Sequence, residues 1–383
     1  MLTTLAHADA STCGHKAAAL ATLLRAGLPV PDGFVVPLAA HRAAGAGDDP
    51  LVHDALRRDV ARRLATMGDP FLAVRSSATD EDAPGTSAAG RYTTVLAVRG
   101  APAVMDAIRT CWASAASGRA AQDDTAMAVL VQRLVDADTS GVMFTPTHTG
   151  GSTRIEASWG LGPSTVGGTV TPDTYLVAPD GAVRRALGSK ATRVDRDRHV
   201  GGLTAQAVPP AHRATPTLDD GTARELTELG HQVAAELGRP QDVEWALAGR
   251  TLRLLQARPI TAPLPSWRIT VPDAPGLLLA GTPGSHGTAS GTARVLHGPS
   301  DIPRVRPGDI VVCRDTDPAW TPLFRVAAGI VTEVGGALSH AAIVAREQGL
   351  PAALGVRGAT TAILDGSPVT VDGTAGTVRL APS

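Results

Sequence analysis

The run Gly335-Gly336-Ala337-Leu338-Ser339-His340-Ala341-Ala342-Ile343-Val344-Ala345-Arg346-Glu347 reads as a loop that turns into a helix. Two glycines lead to Ser339, a residue type that caps helices, and His340 falls at the first helical position. Ile343 and Val344 follow at spacings that pack one helix face, before Gly349 and Pro351 stop it. The free N–H groups and the dipole of a helix start favour negative charge. An imidazole held there can take up a phosphoryl group, with donors waiting for the phosphoryl oxygens. A histidine beside a helix cap is more often structural, so its neighbours decide between the two roles.

Upstream lie Thr316-Asp317-Pro318-Ala319-Trp320-Thr321-Pro322-Leu323 and Ala328-Gly329-Ile330-Val331-Thr332-Glu333-Val334. Together with the glycine–histidine run they resemble the phosphohistidine domain of the phosphoenolpyruvate-utilising enzymes. That family includes phosphoenolpyruvate synthase, pyruvate phosphate dikinase and rifampicin phosphotransferase. The resemblance implies that His340 carries phosphate between two active sites.

A chain of 383 residues is long enough for two or three domains, each with its own core. A formal net charge of −1 gives no electrostatic case for nucleic acid or an acidic membrane surface. Cys13, Cys111 and Cys313 are odd in number and widely separated. They fit neither a disulfide framework nor a zinc cluster, which points to a reducing cytoplasm. No basic-then-apolar leader is read at the N-terminus, and no apolar run reaches membrane-spanning length.

Along the chain, residues 14–27 read as a helix closed by Gly27, and residues 33–36 as a short strand. Residues 51–67, 101–121 and about 219–237 also read as helices. Strands are expected at 71–74, 128–131, 142–145, 154–157, 175–177 and 252–256, each bounded by turn residues. Mixed strands and helices without an internal repeat predict an α+β fold. Pro263, Pro265, Pro272 and Pro275 mark residues 263–280 as a stiff linker or hinge. The expected domains are therefore 1–262, the linker 263–280, and a compact unit at 281–383 around His340.

Several blocks before the linker resemble the family's ATP-grasp-type nucleotide-binding domain. In Gly14-His15-Lys16-Ala17-Ala18-Ala19-Leu20, Lys16 matches the lysine that contacts ATP phosphates; the family pattern has Gly at the His15 position. In Ala73-Val74-Arg75-Ser76-Ser77-Ala78-Thr79-Asp80-Glu81-Asp82, Arg75 ends an apolar strand and can fork onto phosphate oxygens. Ser87-Ala88-Ala89-Gly90 resembles the flexible cover over the phosphates, where small residues let backbone N–H groups approach. Ser87 and Gly90 are the candidates there; the family usually has Phe and Gln where Ala88 and Arg91 stand. Met127 to Val135 reads as a buried strand, and the resemblance makes it the hinge that reads adenine, with Gln132 a candidate contact. Trp112 is expected in the core, and Ile155-Glu156-Ala157-Ser158-Trp159-Gly160-Leu161-Gly162 matches the family without obvious chemistry.

The most mechanistic block pairs Gln241-Asp242-Val243-Glu244-Trp245-Ala246 with Leu254-Leu255-Gln256-Ala257-Arg258-Pro259. A hairpin through Ala248-Gly249-Arg250 would set Glu244 opposite Gln256. Mg²⁺ takes hard oxygen ligands and completes its shell with water and phosphates. One carboxylate, one amide oxygen and an ATP tail meet that need. Arg258, two residues beyond Gln256, shares its face and can neutralise the polyphosphate.

The expected function is an ATP- and Mg²⁺-dependent phosphotransferase with His340 as a covalent relay. The resemblance implies transfer of the β-phosphoryl group with release of AMP and phosphate. The acceptor is expected to be a small molecule, through a hydroxyl or an amine or amide giving a phosphoramidate, plausibly in specialised metabolism. With the sequence ending at Ser383, no stretch is assigned to a separate acceptor domain, which lowers the case for pyruvate. The alternative is a phosphocarrier or regulatory subunit that needs a separate acceptor protein.

Overall fold

The computed structural model describes residues 2–45, 50–78, 93–116, 126–197, 201–260, 262, 264–265, 277–316, 318–337 and 339–380. Ser87, Gly90, the end of the helix expected at 101–121 and most of the linker lie outside the described residues.

The first sheet comprises β1 (Thr3–Thr4), β2 (Gly33–Val36), β3 (Leu72–Ala78), β4 (Thr94–Val98) and β5 (Met127–Arg133), in the order β1-β2-β5-β3-β4. Its helices are α1 (Ala10–Arg25), α2 (Leu38–Gly45), α3 (Pro50–Met67) and α4 (Ala101–Ala116). This sheet is covered on both faces. Phe34, Val36, Val129 and Val131 enter the core shared with α3 and α4, while Val35 and Leu130 enter a core shared with α1. Burial on both faces explains why its strands read as continuous apolar runs rather than alternating ones.

Next come β6 (Thr139–Phe144), β7 (Thr153–Trp159), α5 (Pro163–Val166), β8 (Asp173–Val177) and β9 (Val183–Ala186). The pair β10 (Thr192–Arg196) and β11 (Leu203–Ala207), then α6 (Pro210–Arg213) and α7 (Asp220–Glu236), precede β12 (Gln241–Ala248) and β13 (Thr251–Pro259). The second sheet runs β13-β12-β6-β7-β8-β9. Met143, Ile155, Tyr175 and Val243 pack its inner face against Leu20 and Leu23 of α1 and Leu226 and Val233 of α7.

The remaining strands are β14 (Leu277–Ala280), β15 (Thr282–Ser285), β16 (Thr288–Leu296), β17 (Ile310–Cys313), β18 (Gly329–Thr332), β19 (Ala352–Leu354), β20 (Pro368–Asp372) and β21 (Thr377–Leu380). They make one sheet, ordered β14-β21-β20-β16-β17-β18-β19-β15, with α8 (His340–Gln348) and α9 (Ala359–Ala362). Strands β18 and β19 pair in parallel, and α8 is the crossover between them. That connection places His340 just beyond the C-terminal end of β18.

The α+β architecture is the one expected, with local differences. Residues 277–280, assigned to the linker from sequence, pair instead as an edge strand with β21. Proline content marked the segment, but only the long-range partner Thr377–Leu380 reveals the strand. Helix α1 starts at Ala10, capped by Asp9, and is interrupted at Gly14 (φ 76°). Arg75 lies in mid-strand rather than at a strand end. Among the described residues no helix is long and apolar enough to cross a membrane.

Candidate active site

A cleft of about 330 Å³ opens between the two sheets of the first half. The segment Gln132-Arg133-Leu134-Val135, which joins β5 to β6, forms one wall. Ala73 and Arg75 of β3, residues 161–163 and 166–167 around α5, and Glu244 and Gln256 complete it. Gln132 lines the cleft but is itself buried, and its amide nitrogen donates to Pro31 O at 3.1 Å. Trp112 is a core residue whose indole donates to Met127 O at 3.1 Å.

Glu244 and Gln256 are Cα partners across β12 and β13. The two-residue turn alone would set Glu244 opposite Leu255, and the bulge between Glu244 and Trp245 moves the register one residue on, to Gln256. The turn is closed by Gly249 at φ 61°. Register then carries the row across the whole sheet: Gln256, Glu244, Val142, Glu156 and Thr174 are successive partners. Cross-strand partners share a face, so Glu156 joins the outer face of Glu244 and Gln256. Two strand spacings separate Glu244 from Glu156, roughly 10 Å. The neighbouring row reads Arg258, Asp242, Phe144, Arg154 and Leu176.

Arg75 Nη1 donates to Leu255 O at 3.2 Å and stands 3.6 Å from Glu244 Oε2. Arg75 is thus a neighbour of Glu244 at the cleft, whereas Lys16 and Arg258 are not among the residues that line it. Glu244 and Gln256 present one carboxylate and one amide at the cleft wall, a hard-oxygen set suited to Mg²⁺ with phosphates filling the shell. Arg258 departs from the expectation of an arginine aimed only at phosphate. Its Nε and Nη2 bond Asp242 Oδ2 at 2.9 and 2.8 Å. Burial pushes the Asp242 carboxyl above its usual range, against the pull of Arg258. The only sequence signal for Asp242 is its i, i+2 spacing from Glu244, since its place opposite Arg258 depends on the bulged register.

Lys16 is buried, contrary to the ordinary fate of a lysine opening a helix. Gly14 explains how. A Cβ there would stand 2.1 Å from Ser77 O, so only glycine lets the chain turn beside β3. Ser77 Oγ then accepts from Ala17 N at 3.1 Å and donates to Cys13 O at 2.7 Å, capping the helix that resumes after the kink.

On the other half, Ser339 is the N-cap of α8 and its hydroxyl accepts from Ala342 N. His340 is largely enclosed, with Thr316 Oγ1 3.5 Å from Nδ1 and Thr321 Oγ1 3.4 Å from Nε2. Phe324 meets the ring edge-on at 6.1 Å between centroids. The loop before it touches the other half. Ala337 N donates to Glu156 Oε1 at 2.9 Å, and Arg154 Nη2 donates to the same oxygen at 2.8 Å. A Cβ on Gly336 would lie 2.2 Å from Glu156 Oε2, and one on Gly168 2.7 Å from Ser339 Cβ. Arg346 of α8 bonds Ala337 O and Gly284 O at 2.6 and 3.0 Å. Burial lowers its guanidinium to about 10, opposed chiefly by Asp242. The His340 helix is therefore docked on the outer face that also carries Glu244 and Gln256. Sequence alone could not assign Glu156, Arg154 and Arg346 to this seam, because no short-range pattern links them.

Residues 49–265, more than half of the chain, match the family described as Pyruvate phosphate dikinase, AMP/ATP-binding domain. Residues 305–376 match PEP-utilising enzyme, mobile domain. The chain belongs to the phosphoenolpyruvate-utilising enzyme family. It is 34% identical to a "Probable phosphoenolpyruvate synthase" of Methanothermobacter thermautotrophicus, covering 97% of this chain and 61% of that protein. A protein of the same description from Archaeoglobus fulgidus is 35% identical over 97% of this chain and 56% of its own length. The "Phosphoenolpyruvate synthase" of Escherichia coli is 35% identical over 84% of this chain and 44% of its own length. The chain thus spans about half the length of these relatives. Within the family, the cleft falls in the AMP/ATP-binding domain and His340 in the mobile domain.

Proposed function

We propose that this chain is an ATP-dependent phosphotransferase in which His340 accepts the β-phosphoryl group of ATP and passes it to a small-molecule acceptor. One observation carries the reading: the loop before His340 is seated on Glu156, in the same cross-strand row as Glu244 and Gln256. In this scheme Lys16, Arg75 and Arg258 hold the polyphosphate. Glu244 and Gln256 would hold Mg²⁺, which supplies charge neutralisation when bound.

A neutral ring nitrogen of His340 attacks the β-phosphorus, forming an N–P bond while the bond from Pβ to the bridging oxygen of AMP breaks. AMP leaves with that oxygen, and water takes the γ-phosphoryl group to give phosphate. The phosphoryl group of the histidine then moves to the acceptor, restoring the free ring. Attack requires the unprotonated imidazole, so the first half-reaction weakens as the ring gains a proton at acid pH. The positive end of the α8 dipole at His340 favours the negative charge of the phosphoryl group on the ring.

Pyruvate is the first acceptor to test, because phosphoenolpyruvate, its enol phosphate, is the product in the relatives' names. A hydroxyl or amine of another small molecule follows. The competing reading is a phosphocarrier that hands the phosphoryl group to a separate acceptor protein. Phosphorus NMR of the products of chain plus Mg-ATP, with and without pyruvate, tests the scheme. AMP and phosphate with a phosphohistidine signal support it, and ADP as sole product overturns the β-transfer. Labelled His340 that discharges to no small molecule favours the carrier.

A further inference from the structure

One buried ion pair lies behind the docking seam and takes no part in the chemistry above. Asp173 and Lys190 are both completely enclosed, and Lys190 Nζ donates to Asp173 Oδ1. The same carboxylate accepts from Gly188 N at 2.8 Å, Thr217 N at 2.9 Å and Thr217 Oγ1 at 3.0 Å. Lys190 N in turn donates to Thr171 O at 3.2 Å. Gly188 presses so closely that a Cβ there would stand 2.1 Å from Thr171 O and 2.2 Å from Pro172 O. Asp173, Gly188 and Lys190 thus clamp the Thr171-Pro172 step from behind.

The front of that step receives the mobile domain. A Cβ on Gly336 would meet Pro172 Cγ at 2.9 Å, and one on Gly355 would meet Thr171 Cγ2 at 3.1 Å. Both glycines belong to the His340 half, so its backbone rests directly on these two side chains. The strip is also continuous with the nucleotide cleft, since Leu161, Pro163, Val166 and Gly167 line that cleft a few residues earlier. Buried ion pairs are seldom needed for stability, because well-packed apolar residues often replace them without loss. A charge pair does, however, hold one geometry, and here the held geometry is that of the seat.

We propose that Asp173 and Lys190 are positioning residues whose ion pair fixes Thr171-Pro172 as the seat of the mobile domain and so sets where His340 stands over the nucleotide. This rests on the reading of His340 as the acceptor of a phosphoryl group from ATP.

Three variants of the full chain grade the disturbance. Thr217→Val removes one donor to Asp173, Gly188→Ala crowds the two carbonyls while keeping both charges, and Lys190→Met removes the cation. Each is checked for folding by thermal unfolding and compared with wild type in three measurements. These are the Mg-ATP dissociation constant, the rate of His340 labelling from β-³²P-ATP, and amide hydrogen exchange in the peptide containing Ala337. A displaced seat leaves nucleotide binding within about twofold and slows labelling by about 10- to 100-fold. It also speeds exchange at Ala337, and the folded variants rank in the order of disturbance. Labelling and protection equal to wild type in the folded variants overturn the proposal. So does a loss of ATP binding in step with labelling, which indicates general damage. Should wild type acquire no label, the phosphotransferase reading fails, while exchange at Ala337 still tests the seat.

Discussion

Glu156 Oε1 accepts the backbone N–H of Ala337 at 2.9 Å, joining a strand of the nucleotide-binding half to the loop three residues ahead of His340. The carboxylate is buried and is also bonded by Arg154, so its hold on that loop is not diluted by solvent. Glu156→Ala is expected to leave ATP affinity near wild type and to slow His340 labelling by about tenfold or more, because misplacement of a reacting group is costly. Gly336→Ala should act alike, since the added Cβ would lie 2.2 Å from Glu156 Oε2. Single-turnover labelling beside calorimetric binding separates the two quantities, and equal losses in both would contradict a docking role.

His340→Ala should abolish labelling and turnover while Mg-ATP still binds, because the cleft is lined by residues of the other half. Wild-type-like turnover in this variant would rule out a phosphohistidine route.

Glu244→Ala combined with Gln256→Ala should remove the Mg²⁺ dependence of nucleotide binding. The two are direct cross-strand partners at the cleft wall, and in the proposed scheme they would together supply the protein's oxygen ligands. Titration of ATP binding against Mg²⁺ measures this, and an unchanged metal dependence would disprove the pair.

Arg258→Ala should destabilise the chain by about 3–5 kcal/mol, since it strands a buried Asp242 carboxyl. Arg258→Ala with Asp242→Asn should recover much of that loss without recovering activity. Denaturant unfolding and labelling assays distinguish a structural arginine from one that also serves the phosphates.

Asp9 caps α1, and hydrogen bonds from Ser11 and Thr12 lower its carboxyl to about 2. A depressed acid contributes stability above its unfolded value near 3.8, and that contribution is lost as pH falls towards 2. Asp9→Asn keeps a capping oxygen but cannot titrate. Its unfolding temperature should therefore fall less steeply than that of wild type between about pH 4 and 2. Parallel slopes in the two proteins would contradict the assignment.

Local signals made much of this molecule legible. Ser339 and Gly349 bound the His340 helix, and the bond from Ala342 N and the left-handed C-cap at Gly349 follow from those residue types. The hairpin turn at Gly249 follows from its residue type, while the bulge beside Glu244 decides that its partner is Gln256 rather than Leu255. Other elements escaped notice for the opposite reason. Strand β14 exists only because β21, nearly a hundred residues later, offers it hydrogen bonds. Lys16 reads as a solvated residue until Ser77 and the Gly14 turn bring it under β3.

By itself the sequence determined the local chemistry: a capped helix headed by histidine, and a hairpin whose two strands carry a carboxylate and an amide. These depend on neighbours within a few residues, where backbone preference and short-range hydrogen bonds act. Only the tertiary structure decided that Glu156, Arg154, Arg346 and the Asp173–Lys190 pair belong to the seam beneath His340. Their role depends on strand register summed across a six-stranded sheet and on the seating of one half against the other. No span of contiguous residues encodes that seating, because it arises from surfaces assembled from distant parts of the chain.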